Sequence, residues 1–264
     1  MIKGKKIGLA LGSGGARGLA HIGVIKELLK NNIPIDMIAG TSMGAMVGGL
    51  YAALGDIEKV EKLANSFTVK DWLSTFVDPL GSLGLIKGGK LEKKIREVVG
   101  DVEIEKMRIP FGAVATDINT AEKIVIDKGD LVKGIRASGS VPLLFDPVLM
   151  DGRTLIDGGT SCPVPVEIVK EMGADIIVAV NLDAVYFSSK KGKSAKLSSM
   201  EIMKNTLFLL RYHLAEKEVR EADVVINPPI PYVRDLDFVN KTDLITGGEE
   251  AAAKAIPLIR KFLV

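Results

Sequence analysis

Short apolar runs alternate along the chain with longer stretches in which apolar residues recur at helical spacing. The run KKIGLAL, from Lys5 to Leu11, is typical of a strand buried on both faces of a parallel sheet. Further strands are predicted at Asp36 to Ala39, Phe111 to Ala115, Ile124 to Ile126, Asp175 to Val180 and Val224 to Pro228. Helices are predicted at Arg17 to Lys30, Ser42 to Leu54, Ile57 to Ala64, Lys90 to Val99, a segment ending at Ser138, Val164 to Met172, Ser199 to Glu221 and Thr242 to Leu263.

This alternation predicts an α/β fold in which a mostly parallel sheet is covered by helices on both faces. Asp151-Gly152, between two apolar runs, adds a tight hairpin turn. Pro257 predicts a bend in the last helix. A chain of 264 residues can bury roughly 75% of its unfolded surface in one domain, so we expect a single domain over residues 1–264.

Composition narrows the class of protein. Hydrophobic residues make up 47% of the chain, enough for a packed core, which excludes general disorder. The net charge of +2 argues against nucleic acid as the main partner. The single cysteine, Cys162, excludes an intrachain disulfide and a multi-cysteine metal site, and it fits a reducing, cytoplasmic location. Cys162 is expected to pack near Asp157 without acting as a nucleophile, since neither histidine is placed beside it.

Two segments imitate export or membrane signals. Ile7 to Leu11 follows a basic start but is too short for the apolar core of a signal peptide. Met37 to Gly55 carries no charge for 19 residues, close to the length of a membrane-spanning helix. Because Gly40, Gly44 and Gly48 dilute its hydrophobicity, the segment instead predicts a buried strand, a turn and a helix.

The strongest local signal is Gly40-Thr41-Ser42-Met43-Gly44, a G-x-S-x-G pentapeptide between a predicted strand and a predicted helix. A nucleophile on such a sharp turn needs small neighbours, because bulky side chains would collide across the bend. The helix that follows also directs its positive end toward the charge that develops during acyl transfer. Ser42 is therefore the predicted nucleophile.

A second glycine-rich turn, Gly12-Ser13-Gly14-Gly15-Ala16-Arg17-Gly18, also lies between a strand and a helix. Its backbone N–H groups, free of side-chain obstruction, form a cradle for an anion. The spacing matches neither a phosphate-binding P-loop nor a dinucleotide fingerprint. An oxyanion cradle for Ser42 is the preferred interpretation, and a nucleotide- or lipid-binding module without catalysis is the alternative.

A serine nucleophile needs a base. His21 is expected in the core, and His213 is expected on a solvated helix face, although a Ser–His–Asp esterase using His213 stays open. A carboxylate is preferred, and Asp157 is the best placed, at the end of the second hairpin arm and before two glycines. Partial burial should raise the pKa of Asp157 from about 3.9 toward the working range. Sequence spacing alone does not decide between Asp157 and three other acids at predicted strand ends as the base: Asp117, Asp146 and Asp183.

Taken together, these motifs resemble the patatin-like phospholipase family, in the family's order: GSGGARG, GTSMG, ASGSVPLLFDPV and DGG. The resemblance implies a three-layer αβα sandwich and a short bacterial member of the family. It also implies a Ser42–Asp157 dyad that cleaves lipid carboxyl esters through an acyl-enzyme, without a metal or an organic cofactor. The oxyanion hole would come from the backbone N–H groups around Gly14, Gly15, Arg17 and Gly18.

If lipid esters are the substrates, we expect peripheral contact with the inner membrane surface. We expect no nucleic acid as a partner. The segment from Asp71 to Gly89 is a predicted flap or a packed segment, and Asp183 to Leu197 is a predicted flexible loop. The residues expected to meet lipid are Trp72, Phe76, Leu80, Lys190, Lys191, Lys193 and Lys196.

Overall fold

The described part of the chain builds one mixed sheet. The computed structural model describes residues 4–66, 86–184, 198–230 and 240–263. The strands are β1 (Ile7–Leu11), β2 (Met37–Thr41), β3 (Phe111–Asp117), β4 (Lys123–Ile126), β5 (Val148–Met150), β6 (Arg153–Asp157), β7 (Ile176–Val180) and β8 (Val224–Ile226). Their order is β5-β6-β3-β2-β1-β7-β8, with β4 paired to β3.

Helices follow the strands as the hydrophobic pattern predicts. They are α1 (Ala20–Lys30), α2 (Met43–Leu54), α3 (Ile57–Ser66), α4 (Gly89–Val99), α5 (Leu131–Ser138), α6 (Val166–Glu171), α7 (Ser199–Glu218) and α8 (Lys241–Leu263). The first helix differs from its prediction, because Gly15–Leu19 winds as a 3₁₀ turn before α1 begins. The last one runs through Pro257.

The sheet has two buried faces, which gives the three-layer architecture. Strands β1, β2, β3, β7 and β8 are paired in parallel, whereas β4 and β6 run antiparallel to β3. Leu9 and Leu11 pack into the core beneath α1, α2 and α8. Ala10 belongs to a second core that contains α6 and Ala215 of α7. This alternation confirms the predicted αβα sandwich.

The predicted hairpin is present and places Asp157. Asp151 and Gly152 both have positive φ, 50° and 76°, as a two-residue turn of this hand requires. Met150 pairs with Arg153 across the turn, and β6 then runs five residues to Asp157. The turn chemistry therefore fixes the register that brings Asp157 to the sheet interior.

Strands β2 and β6 meet end to end along one side of β3. Thr41, the last residue of β2, is opposite Val114 of β3, and Asp157, the last residue of β6, is opposite Ala115. Strand β4 pairs with the same two β3 residues from the other side. Because β2 is parallel and β6 antiparallel to β3, their carboxyl ends face each other, and Ser42 follows directly after Thr41.

The glycine-rich uncharged segment is β2 followed by α2, as predicted. Among the described helices, none has the length and apolar character needed to span a bilayer. The predicted flap lies outside the described residues up to residue 85, and the predicted flexible loop lies outside them from residue 185 to 197. The aromatic and lysine residues expected to meet lipid are all within those two ranges.

Candidate active site

Ser42 lies on a strained turn between β2 and α2. Its φ of 56° and ψ of −118° are unusual for a residue with a side chain. A Cβ on Gly40 would lie 2.5 Å from the backbone of Gly44, and a Cβ on Gly44 would lie 2.1 Å from the carbonyl oxygen of Leu11. Both positions must therefore be glycine for the turn to form, which explains the G-x-S-x-G pattern.

Ser138 holds the backbone of this turn. The Ser42 N–H donates to Ser138 Oγ at 2.8 Å, and the Ser138 hydroxyl donates to the carbonyl oxygen of Val114 at 2.6 Å. The Val114 carbonyl lies where β2 and β6 meet, so it has no strand partner there. Ser138 therefore satisfies two backbone groups that the junction would leave unpaired.

Asp157 lies beside Ser42 at the end of β6. Its carboxylate accepts a hydrogen bond from the Gly159 N–H at 2.7 Å. The side chain is buried, with a relative exposure of 6% for the residue. Burial raises the pKa of Asp157 above its usual range, against the opposing effects of the neighbouring Ser42 hydroxyl, the Gly159 N–H and the Arg211 cation.

The glycine loop, Gly12 to Gly18, follows β1 and leads into α1. Its start is anchored where Gly12 N–H donates to Val180 O at 3.0 Å and Ser13 N–H donates to Pro163 O at 2.8 Å. In the 3₁₀ turn that follows, each amide donates to the carbonyl three residues back, so the N–H groups of Gly14 and Gly15 precede the first such bond. Neither amide has an acceptor within the described ranges.

The loop also packs against the turn that carries Ser42. A Cβ on Gly18 would lie 2.4 Å from Cβ of Met43, the residue after Ser42. A Cβ on Gly14 would lie 2.6 Å from Cδ1 of Leu182. The glycines of the loop therefore permit a close approach of the two turns, which larger residues would push apart.

Three segments converge on Gly159. A Cβ there would lie 2.9 Å from Asp157 Oδ1, 3.1 Å from Ser13 Oγ and 3.2 Å from Arg211 Cδ of α7. The Ser13 hydroxyl is buried and has no hydrogen-bond partner among the described residues. Asp157, the glycine loop and α7 thus share one small volume next to Gly159, and the Ser13 hydroxyl lies at its edge.

A buried ion cluster was not predicted from the sequence. Asp183 accepts hydrogen bonds from Arg17 Nη2 at 2.9 Å and from Arg211 Nε and Nη2 at 2.8 and 2.7 Å. Asp183 and Arg17 are 3% and 1% exposed. Burial acts to raise the pKa of Asp183, but the two guanidinium groups outweigh it and hold that pKa below its usual range. Asp183 therefore belongs to the site's interior and not to a flexible loop.

These motifs lie in one matched region. A family model for patatin-like phospholipases matches residues 9–170, more than half of the chain. The chain belongs to the patatin-like phospholipase family. The matched region contains β1, the glycine loop, Ser42 and Asp157, whereas Asp183 and Arg211 of this patatin-like chain lie beyond it.

Relatives with similar sequences include proteins of the NTE family. An uncharacterised NTE family protein of Mycobacterium tuberculosis is 40% identical over 178 residues, which cover 67% of this chain and 49% of that protein. Neuropathy target esterase sws of Drosophila melanogaster is 35% identical over 190 residues, which cover 69% of this chain and 13% of that protein. The patatin-like chain thus spans about half the length of the mycobacterial relative.

Solved structures share the fold. VipD from Legionella pneumophila aligns with a TM-score of 0.52 and 14% identity, over 98% of this chain and 67% of that one. ExoU of Pseudomonas aeruginosa, in its complex with SpcU, aligns with a TM-score of 0.53 and 15% identity, over 98% of this chain and 52% of that one. At these identities the likeness concerns the patatin-like fold alone.

The two histidines are placed as predicted. His21 is fully buried in α1, and its Nε2 hydrogen-bonds to the carbonyl oxygen of Gly12 at 2.7 Å. His213 is exposed on α7, edge-on to Tyr212. Within the described ranges neither imidazole hydrogen-bonds to Ser42 or Asp157. The arrangement in this patatin-like chain therefore supplies a carboxylate beside Ser42 and no imidazole.

The other acids and the cysteine have separate partners. Asp117 pairs with Arg153 at 3.3 Å, and one carboxylate oxygen of Asp146 is buried without a partner among the described residues. Burial raises the pKa of the Cys162 thiol, and the nearby Glu218 carboxylate acts in the same direction. A thiol held in its neutral form is a poor nucleophile. In the part of the chain described, no group of three or more His, Cys, Asp or Glu side chains is arranged to hold a metal ion.

Proposed function

We propose that this chain is a serine acyl hydrolase that cleaves lipid carboxyl esters, with Ser42 as nucleophile and Asp157 as general base. The position of the Ser42 side chain beside the Asp157 carboxylate, at the junction of β2 and β6, is the observation that carries the proposal. The strained Ser42 backbone supports it, because strain of this kind aims a nucleophile out of a turn. An ionised Asp157 is the form that accepts the proton.

The reaction runs in two stages. Asp157 takes the proton from Ser42 Oγ, the oxygen attacks the ester carbonyl carbon, and a tetrahedral oxyanion forms. The oxyanion collapses as the bond to the leaving alcohol breaks, and the proton on Asp157 passes to that alcohol. Water then gives a proton to Asp157 and attacks the acyl-enzyme, which releases the fatty acid and restores Ser42 when the proton returns.

The amides of Gly14 and Gly15 are the proposed donors to the oxyanion. Their N–H groups precede the first internal bond of the 3₁₀ turn, so they can donate to a ligand. Each such donor lowers the barrier by about 3 kcal/mol. The amides of Arg17 and Gly18 remain predicted as further donors. Within the 3₁₀ turn, these two N–H groups are directed to the carbonyl oxygens of Gly14 and Gly15, so they would have to leave those partners to bind the oxyanion.

A small apolar cavity near the Ser42 turn supports an acyl substrate. Its lining includes Met43 and Leu19, which follow Ser42 and Gly18, and the described residues that line it are all apolar. Its volume of about 30 Å³ has room for the end of a hydrocarbon chain only. Each CH₂ group that leaves water for such surroundings contributes about 0.8 kcal/mol.

The names of relatives agree with this substrate class. Lysophospholipase nte1 of Emericella nidulans is 34% identical over 200 residues, which cover 75% of this chain and 13% of that protein. Its name refers to hydrolysis of an acyl ester in a phospholipid. We extend that class to this chain as part of the proposal, and leave the headgroup and acyl length open.

Covalent labelling tests the proposal. A fluorophosphonate probe should modify Ser42, located by mass spectrometry, because attack of the serine oxygen on phosphorus displaces fluoride. Ser42→Ala should abolish both the label and the hydrolysis of a p-nitrophenyl acyl ester. Asp157→Asn should lower kcat by about 100- to 10,000-fold. Ser66→Ala, a change to an exposed serine at the end of α3, is the matched control.

The outcomes separate the competing functions. A folded wild-type chain that neither takes the label nor hydrolyses the ester would contradict the proposal and favour a binding module that uses the same glycine loop. Loss of activity in a folded His213→Ala variant would favour the Ser–His–Asp esterase instead, because the Ser42–Asp157 dyad does not use His213.

A further inference from the structure

The buried ion cluster joins two parts of the site that are distant in sequence. Arg17 lies in the 3₁₀ turn at the end of the glycine loop, and Arg211 lies in α7, yet both donate to one carboxylate, that of Asp183. The carbonyl oxygen of Leu182 also accepts from the Arg17 guanidinium. A buried carboxylate that bridges two guanidinium groups fixes the elements that carry them.

Asp183 is itself held in place by the sheet. It follows β7 by three residues, and its N–H donates to Asn181 Oδ1 at 2.9 Å. The Asn181 N–H donates in turn to Ile226 O of β8 at 3.0 Å. The anchor of the cluster is therefore hydrogen-bonded to the sheet through Asn181, and the glycine loop and α7 are positioned relative to it.

The cluster also lies beside the proposed base. Arg211 Cδ and Asp157 Oδ1 lie 3.2 and 2.9 Å from the point that a Cβ on Gly159 would occupy. Among the described residues, the charged groups with the main effects on the Asp157 carboxylate are the Arg211 cation and, with opposite sign, the Asp183 anion. The Gly159 N–H donates to this carboxylate, and the Ser42 side chain lies beside it.

We propose that Asp183 and Arg211 are positioning residues of the hydrolase: Asp183 joins the glycine loop to α7, and Arg211 holds a positive charge beside the carboxylate of Asp157. The inference rests on the proposed function, in which Asp157 must be ionised to accept the Ser42 proton. Burial alone would keep that carboxyl protonated at higher pH, and the nearby cation opposes this.

The pH dependence of kcat/KM tests the proposal, with a p-nitrophenyl butyrate assay and thermal unfolding of each variant. Activity should fall at low pH as Asp157 is protonated. Arg211→Met removes the cation and should move this acid limb to higher pH by about one unit. Arg211→Lys keeps the charge, so its acid limb should stay close to wild type even if kcat falls.

Asp183→Asn supplies a prediction of opposite sign. It removes the anion that opposes Arg211, so the acid limb should move to lower pH, while kcat falls because the glycine loop loses its anchor. Lys217→Met is the matched control, since it removes one positive charge from an exposed position of the same helix. Its profile should coincide with that of the wild type.

Each outcome decides a separate point. An active wild type whose acid limb does not move in Arg211→Met, or moves equally in Arg211→Lys, would overturn the role of the Arg211 charge. If Arg211→Met does not fold, Asp183→Asn carries the test: an acid limb that does not move to lower pH would overturn the proposal, as would a shift of the acid limb in Arg211→Lys. A wild type without label or turnover would overturn the proposed function, and this inference with it.

Discussion

His21 is a neutral, buried imidazole that ties α1 to the start of the glycine loop. Its Nε2 lies 2.7 Å from the Gly12 carbonyl oxygen, so the tautomer present carries its proton on Nε2. Nδ1 is buried without a partner among the described residues. Burial lowers the pKa of His21 to about 4, although the hydrogen bond to Gly12 acts in the opposite direction. Protonation at Nδ1 would therefore place an uncompensated charge next to the loop.

This pKa predicts an acid-dependent loss of stability. The imidazole has a pKa of about 6.5 in the unfolded chain and about 4 in the folded one. Between these values the unfolded chain binds more protons, so stability falls as pH is lowered from about 6.5 to 4, by about 3 kcal/mol. His21→Gln should remove this component, measured by urea unfolding at pH 7, 5 and 4. His213→Gln, at an exposed position, should leave it; equal pH dependence in all three chains would contradict the prediction.

At the scale of elements, the small cavity between α1, α2, α3 and α4 is the proposed site for the end of the acyl chain. Val47 lines it from α2 and is 2% exposed. Val47→Phe should fill it completely and lower kcat/KM for a p-nitrophenyl palmitate by about tenfold relative to the butyrate. Val98→Phe, at an exposed position of α4, is the matched control. The same length preference in both variants would place the acyl chain elsewhere.

The pattern of apolar residues was sufficient to predict most elements, because fully buried strands and amphipathic helices have distinct periods. The Asp151-Gly152 turn and the small residues around Ser42 were predictable for a local reason, since each needs a particular backbone conformation. The end-to-end meeting of β2 and β6 was not, because it depends on pairing with β3 at positions remote in sequence. The Arg17–Asp183–Arg211 cluster was missed because its burial follows from that packing, whereas the Ser- and Lys-rich segment after Asp183 suggested a solvated loop.

At the scale of the whole molecule, α8 packs against α1 next to the site. Helices α1 and α8 cross closely enough that a Cβ on Gly23 would lie 1.9 Å from the Ile245 carbonyl oxygen. A Cβ on Gly248 would lie 2.0 Å from the carbonyl oxygen of Ala20. Ala20 begins α1, one residue before His21 and two after Gly18. The position of α8 is therefore coupled through α1 to the glycine loop.

A pair of neighbouring glycines in α8 tests this coupling. Gly248→Ala must push backbone against backbone, which costs about 1–3 kcal/mol, and each kcal/mol lowers Tm by about 2–4 °C in a chain of this size. Gly247→Ala is the matched control, because its Cβ would meet nothing closer than Ile230 Cγ1 at 3.7 Å. Alanine there should raise stability by up to about 1 kcal/mol through helix propensity. Thermal unfolding followed by circular dichroism distinguishes the two. Equal Tm values would show that the helices separate without cost, in which case α8 does not hold α1 and the glycine loop against the sheet.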